Sequence, residues 1–201
     1  MQINEKLEQL LLSLEQSDKS TRARLLSEGR LFDGYSPEME QVHAANAGIL
    51  EAILDEHGWP GTSLVGEAGA RAAWIVAQNA IGLPQFQRRC LDMLRKAVEV
   101  GEAPTTYVAY LTDRIRFNER RPQVYGTVFD WDAEGRLSPW TIEDIDQVDQ
   151  RRASVGLPPL EAATEIVRLE ALVEGNEATQ DHASRQREID EWARRSGWLQ
   201  D

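Results

Sequence analysis

Ser36-Pro37-Glu38-Met39-Glu40-Gln41-Val42-His43-Ala44-Ala45-Asn46-Ala47-Gly48-Ile49-Leu50-Glu51-Ala52-Ile53 reads as one amphipathic helix. Ser36 stands where a helix cap is wanted, and Pro37 suits the first helical position because its missing N–H would have no partner there. Met39, Val42, His43, Asn46, Ile49, Leu50 and Ile53 then recur at spacings of three and four, which gathers them on one inward face. Gly58-Trp59-Pro60-Gly61 stops the helix after about Glu56. A helix bounded this firmly needs other helices to cover its face, and the flanking sequence supplies them.

Upstream, Leu7, Leu10, Leu11 and Leu14 predict a helix over about 3–16. Ser17-Asp18-Lys19-Ser20 has capping chemistry and predicts a break, with a short helix over 21–27 that Gly29 ends. Leu31 to Pro37, with Asp33 and Gly34 inside it, reads as a turn. Downstream, Thr62 or Ser63 opens a helix that runs through Gly66 to Ala80 and places Trp74 and Gln78 one turn apart. Gly82-Leu83-Pro84 and Gly101-Glu102-Ala103-Pro104 bound further helices over about 84–100 and 105–118. From Pro122 the pattern changes. Gln123 to Asp130 alternates, Asp132-Ala133-Glu134-Gly135 makes a turn, and Arg136 to Thr141 returns. Helical spacing resumes over about 142–154, 160–173 and 178–198, interrupted by Gly156-Leu157-Pro158-Pro159 and Gly175-Asn176. The expected fold is mainly α: an antiparallel multi-helix bundle carrying one small β-hairpin at about 123–141. The expected division is a helical core domain over 1–174 and a charged C-terminal helical extension over 175–201.

Composition narrows the function classes. The chain has 201 residues, 34 acidic against 22 basic, for a net charge of −12. Nucleic-acid binding calls for a basic face, and here the arginine pairs (Arg88-Arg89, Arg120-Arg121, Arg151-Arg152, Arg194-Arg195) are flanked by acids, so that class is set aside. No apolar run approaches the ~20 residues of a membrane span, and the N-terminus enters an acidic amphipathic helix, so a cytoplasmic protein without membrane contact is expected. The single cysteine, Cys90, falls on the apolar side of its helix and is expected to be a buried structural thiol.

No glycine-rich phosphate loop, CxxC, HExxH or GxSxG is present. Three scattered histidines give no metal-ligand spacing, so neither a metal nor another cofactor is expected. His57 suits a helix C-terminus, and His182 lies in the charged final helix. His43 differs, because it sits on an apolar face with Asn46 one turn away, and buried polar groups need partners. Other polar residues fall on inward faces too: Gln78 with its neighbour Asn79, Asp113 and Arg114 beside Tyr110 and Leu111, and Gln123 with Tyr125 on one hairpin face. Converging, they would make a polar small-ligand pocket. His43 would then be the general acid or base with Tyr125 beside it, since an ordinary imidazole titrates near ~6.5. Arg114 or Arg116 would grip a carboxylate or phosphate, and Asn46, Gln78, Asn79 and Gln123 would orient the ligand. The competing reading makes Asp113–Arg114 and Arg151–Arg152 structural ion pairs that hold the hairpin on the helices.

Several strings together resemble a bacterial family classed only as a domain of unknown function: Gly34-Tyr35-Ser36-Pro37-Glu38-Met39, Val42-His43-Ala44-Ala45-Asn46, Gly58 to Gly66, Leu111-Thr112-Asp113-Arg114, Gln123-Val124-Tyr125-Gly126-Thr127, and Asp149-Gln150-Arg151-Arg152-Ala153 ahead of Gly156 to Leu160. The resemblance spans about 5–172. It implies Gln-His-Ala-Asp where this chain has Gln78-Asn79-Ala80-Ile81, and Tyr-Gly-Thr-Gln where it has Tyr125-Gly126-Thr127-Val128. Relatives with a histidine pair and an aspartate would be equipped for acid–base or metal chemistry. This chain keeps His43, Gln78 and Tyr125.

Two functions are expected from this reading. One is a small-molecule-binding protein, an enzyme or a binding-only descendant, doing acid–base chemistry on a small polar substrate. The other is a non-catalytic immunity or accessory module that meets a protein partner through its acidic surface and C-terminal helix, with Trp192 and Trp198 as anchors.

Overall fold

The computed structural model describes residues 3–32, 34–176, 178 and 181–199. Asp33 of the predicted turn, and Thr179 and Gln180 of the predicted final helix, lie outside the described residues. The fold is mainly α-helical with one small two-stranded antiparallel sheet, as the periodicity predicts. The chain forms two compact units, Met1–Val108 and Ala109–Asp201, so the division falls inside a helix.

In the first unit, α1 spans Glu5–Ser27, α2 Pro37–His57, α3 Thr62–Asn79 and α4 Pro84–Glu99, and α5 (Thr105–Asn118) begins there. The expected break at Ser17-Asp18-Lys19-Ser20 does not occur, and α1 runs through it unbroken. Leu7, Leu11, Leu14, Asp18 and Leu25 are all buried, at spacings of four, three, four and seven. Ser and Asp favour caps because their side chains compete for backbone groups, but burial of a continuous face overrides that local preference. Asn4 caps the helix, accepting from the Leu7 N–H at 3.2 Å. Ser36 occupies the cap position of α2 but forms no side-chain cap bond, and Pro37 is in the first turn as read.

α3 carries a kink at Gly66, whose φ of 68° lies in the left-handed region that glycine enters freely. Glu102 caps its start, its carboxylate accepting from the Ser63 N–H at 2.8 Å. Its end is closed by Gln87 of α4, fully buried, which donates to the carbonyls of Ala77 and Gln78 at 2.7 and 3.0 Å. Cys90 is fully buried as expected.

In the second unit, α5 leads to β1 (Phe129–Trp131) and β2 (Leu137–Pro139), paired antiparallel with Asp130 opposite Ser138. The strands are shorter than the alternating pattern predicted, and Gln123 lies outside them, forming only an isolated bridge to Ile142. The predicted 142–154 helix begins late, as a 3₁₀ turn at Ile145–Gln147 running into α6 (Val148–Ser154). α7 (Leu160–Glu174) and α8 (His182–Arg195) follow. Arg185 and Gln186 of α8 reach Asp130 of β1, with Arg185 Nη2 at 2.8 Å and Gln186 Nε2 at 2.9 Å. Ala193 and Trp198 are buried, so the C-terminal segment contributes core to its own unit.

Candidate functional site

Three polar residues of the first unit's helices, Asp18, His43 and Asn79, meet at one place. Asp18 of α1, buried in the middle of its helix, touches two side chains. His43 Nε2 of α2 lies 2.8 Å from Asp18 Oδ2, in ion-pair contact but with the N–H aimed off the line between them. Asn79, the last residue of α3, donates from Nδ2 to the same oxygen at 3.1 Å. On its other side, His43 Nδ1 is 2.8 Å from the Tyr35 hydroxyl, and the two rings stack at 5.7 Å with an angle of 22°. With Asp18 ionised, the tautomer that fits carries the proton on Nε2, so that Nδ1 accepts from the phenol. The result is a file of three groups, Tyr35–His43–Asp18, with His43 and Asp18 side chains each 10% exposed.

The file opens onto a cleft whose lining also takes in Glu40, Ala44, Ala80, Gly82 and Leu83. Its cavity volume is about 30 Å³, room for a few water molecules and far below the ~300–1,000 Å³ of drug-sized ligand sites. Only a small molecule or a terminal group fits. Burial, followed by the negative charges of Glu40 and Asp18, holds the Tyr35 phenol well above its ordinary value. It therefore stays protonated and serves as a hydrogen-bond donor, not a phenolate base.

The remaining expected site residues of this unit have local roles. Asn46 is buried and donates to the Leu14 carbonyl of α1 at 3.0 Å, tying α2 to α1. Gln78 is buried near the end of α3, and its own carbonyl accepts from Gln87. Asn79 joins the cluster, at the position where the family resemblance implies histidine. Two participants were missed: Tyr35, read as part of a turn, and Asp18, read as a helix break. Asp18 was findable, since it continues the Leu7–Leu11–Leu14 spacing.

In the second unit, the expected site residues build a loop. Asp113 of α5 is fully buried and accepts from the N–H groups of Val124 (2.8 Å), Tyr125 (3.1 Å) and Thr127 (3.0 Å) and from the Thr127 hydroxyl (3.0 Å). Burial raises its carboxyl, and these donors pull it back only in part. Gln123, also fully buried, clamps Val128 with both ends of its amide: Nε2 donates to the carbonyl at 2.9 Å, and Oε1 accepts from the N–H at 2.7 Å. Arg151 Nε donates to the Val124 carbonyl at 2.7 Å, and Arg152 Nη1 to the Tyr125 carbonyl at 2.6 Å. Asp113, Arg151 and Arg152 are thus held mainly by backbone groups, those of residues 124–127 together with the carbonyls of Glu143, Asp144 and Pro158, in place of the ion pairs that sequence suggested. Tyr125 is placed by its backbone, with a half-buried ring. Arg116 pairs with Glu143 at 2.5 Å and the Pro122 carbonyl at 3.1 Å.

Among the described residues, no group of three His, Cys, Asp or Glu side chains is placed to hold a metal ion. No helix among them is long and apolar enough to cross a membrane. No curated protein and no solved structure matches the chain. A family model does match, over residues 5–174, and it takes in both the Tyr35–His43–Asp18 file and the Asp113-centred loop. The chain therefore belongs to the Family of unknown function (DUF6624).

Proposed function

We propose that the cleft beside Tyr35 and His43 binds a small polar molecule, neutral or positively charged, and that His43 is the group that handles a proton there. The observation that carries this reading is the Tyr35–His43–Asp18 file ending at the cleft. A core histidine needs one satisfied nitrogen to be tolerated. This one has a polar neighbour at each ring nitrogen: a protonated phenol hydrogen-bonded at Nδ1, and at Nε2 a carboxylate in ion-pair contact without an aligned hydrogen bond. That is the arrangement by which a carboxylate fixes an imidazole's tautomer and steadies its charged form. Asn79 is a positioning residue, holding the Asp18 oxygen that faces His43.

The charge of the cleft selects the ligand class. Its lining includes Glu40 and no lysine or arginine, and Asp18 lies behind His43. An amide, a hydroxyl compound or a small amine suits that field, and a carboxylate does not. A proton taken from such a ligand would pass to the Tyr35 oxygen as the phenol's own proton moves to His43 Nδ1.

The test is saturation-transfer NMR with the full chain and a panel of small amides, polyols, amines and carboxylates. The expected result is binding by neutral or cationic members, lost in His43→Ala and weakened in Tyr35→Phe, with both variants still unfolding cooperatively. If no member of the panel binds in a His43-dependent way, the reading fails.

A second reading, contact with a protein partner, draws on α7. Ile166, Leu169, Leu172 and Val173 are exposed there at 53–87%, at spacings that form one apolar stripe. Trp198, expected to be an anchor, is only 4% exposed and is a weaker candidate. Sedimentation velocity tests self-association as the simplest case: a concentration-dependent mass lost in Leu169→Glu supports the stripe, and a monomer at all concentrations removes that case.

A further inference from the structure

Arg114 lies on the last turns of α5, and its Nε is shut off from solvent without any hydrogen-bond partner. The other arginines of its unit that are not exposed are all held by protein acceptors: Arg116 by Glu143, Arg120 by Asp190, Arg151 and Arg152 by loop carbonyls, and Arg185 by Asp130. Among the described residues, Arg114 has no ion-pair partner. Asp113, next in the chain, cannot serve, because both its oxygens are taken by the 124–127 loop.

One turn further on, Asn118 repeats the situation. It is 2% exposed, and its Nδ2 has no partner. Residues four apart on a helix are surface neighbours, with Cβ atoms about 6 Å apart. Arg114 Nε and Asn118 Nδ2, buried donors one turn apart, are therefore both left without a protein acceptor. Each such orphan costs about 1–3 kcal/mol when left unpaired. Water would satisfy the amide but would leave the guanidinium charge unmatched. Burial already pushes the Arg114 pKa down, yet a guanidinium does not give up its proton in a protein. What completes the pair is an acceptor with two oxygens and a negative charge. Arg114 as a whole is half-buried, not sealed, which leaves a path for such a group.

We propose that Arg114 and Asn118 are the donors of a binding site for a small oxyanion, a carboxylate or phosphate group. The site belongs to the second unit and is independent of the His43 cleft, which favours the opposite charge. Arg114 supplies the charge and a two-pronged grip, and Asn118 supplies the donor that fixes the anion's position along the helix.

The experiment follows the Arg114 Nε–Hε resonance in ¹⁵N-labelled full chain, assigned with Arg114→Gln. Sodium phosphate and sodium acetate are titrated separately in an oxyanion-free buffer, with sodium chloride keeping ionic strength constant. The expected result is a saturable shift with at least one of them, together with a rise in Tm that Arg114→Gln abolishes. Phosphate acting alone identifies a phosphate site, and acetate acting alone a carboxylate site. Asn118→Asp places a carboxylate beside the guanidinium, so Arg114 should stop responding to either anion. Asn118→Leu, which removes the donor at similar volume, should weaken binding at least tenfold. The proposal is overturned if neither anion gives a saturable shift, if chloride reproduces it, or if Asn118→Asp responds as the unaltered chain does.

Discussion

Replacing Asp113 by asparagine removes one charge and turns one acceptor into a donor, with almost no change in shape. Asp113 Oδ1 meets the N–H groups of Val124 and Tyr125, and Oδ2 meets those of Tyr125 and Thr127 and the Thr127 hydroxyl. Every partner is a donor. The best asparagine rotamer leaves its oxygen at the three-donor side, so its NH₂ faces the Val124 N–H, which then has no acceptor. A stranded buried donor costs about 1–3 kcal/mol, and bonds to a charged acceptor are worth about 1.5–3 kcal/mol each against about 1 for neutral ones. Together these give a loss of about 3 kcal/mol, a large part of the 5–15 kcal/mol that stabilises an ordinary domain. Asp113→Ala strands three N–H groups but admits water, and should cost about 3–4 kcal/mol. Urea unfolding followed by circular dichroism measures the total, and amide exchange at Val124, Tyr125 and Thr127 locates it. A loss under about 0.5 kcal/mol in Asp113→Asn, or unchanged exchange at those amides, would refute the reasoning.

Three further outcomes are expected. Trp198→Ala should destabilise the second unit by about 3–5 kcal/mol, the usual cost of emptying a buried aromatic site, measured by thermal unfolding; a change below 1 kcal/mol would mean that the residue is not core. Cys90, its thiol pushed up to about 12 by burial, should resist a thiol-specific disulfide reagent at pH 8 in the folded chain and react once urea unfolds it. Burial pushes the Glu15 carboxyl up, but hydrogen bonds and charge from Lys19 and Arg71 more than reverse this and leave it below its usual range. A depressed acid stabilises the fold above its unfolded pKa and loses that contribution as pH falls through the folded value. Stability measured between pH 5 and pH 2 should therefore drop less steeply in Glu15→Gln than in the unaltered chain.

The helices from Pro37 to Asn118 were legible because each is bounded by Gly or Pro and carries a regular apolar face. The hairpin was legible in kind but not in length. Gln123 looks like a strand residue, yet its side chain is spent on Val128 and Trp140, which holds the segment as a loop. At the candidate site, His43 stood out because an imidazole on an apolar face needs a reason. Asp18 did not, since in sequence Ser-Asp-Lys-Ser signals a cap, and that local signal outweighed the Leu7–Leu11–Leu14 spacing that Asp18 continues. Tyr35 precedes its helix, and no spacing rule links it to His43. The role of Asn118 was equally hidden, because an asparagine at a helix end normally suggests a terminus and not an unpaired donor.

The loop at 123–128 is gripped by Asp113, Gln123, Arg151 and Arg152, which come from α5, the loop itself and α6. Four side chains that restrain one short segment do not act separately. Once one grip is lost and the loop loosens, the others hold less, so losses from paired substitutions should fall short of their sum. The first substitution among them is thus the costly one, and later ones meet a segment already released.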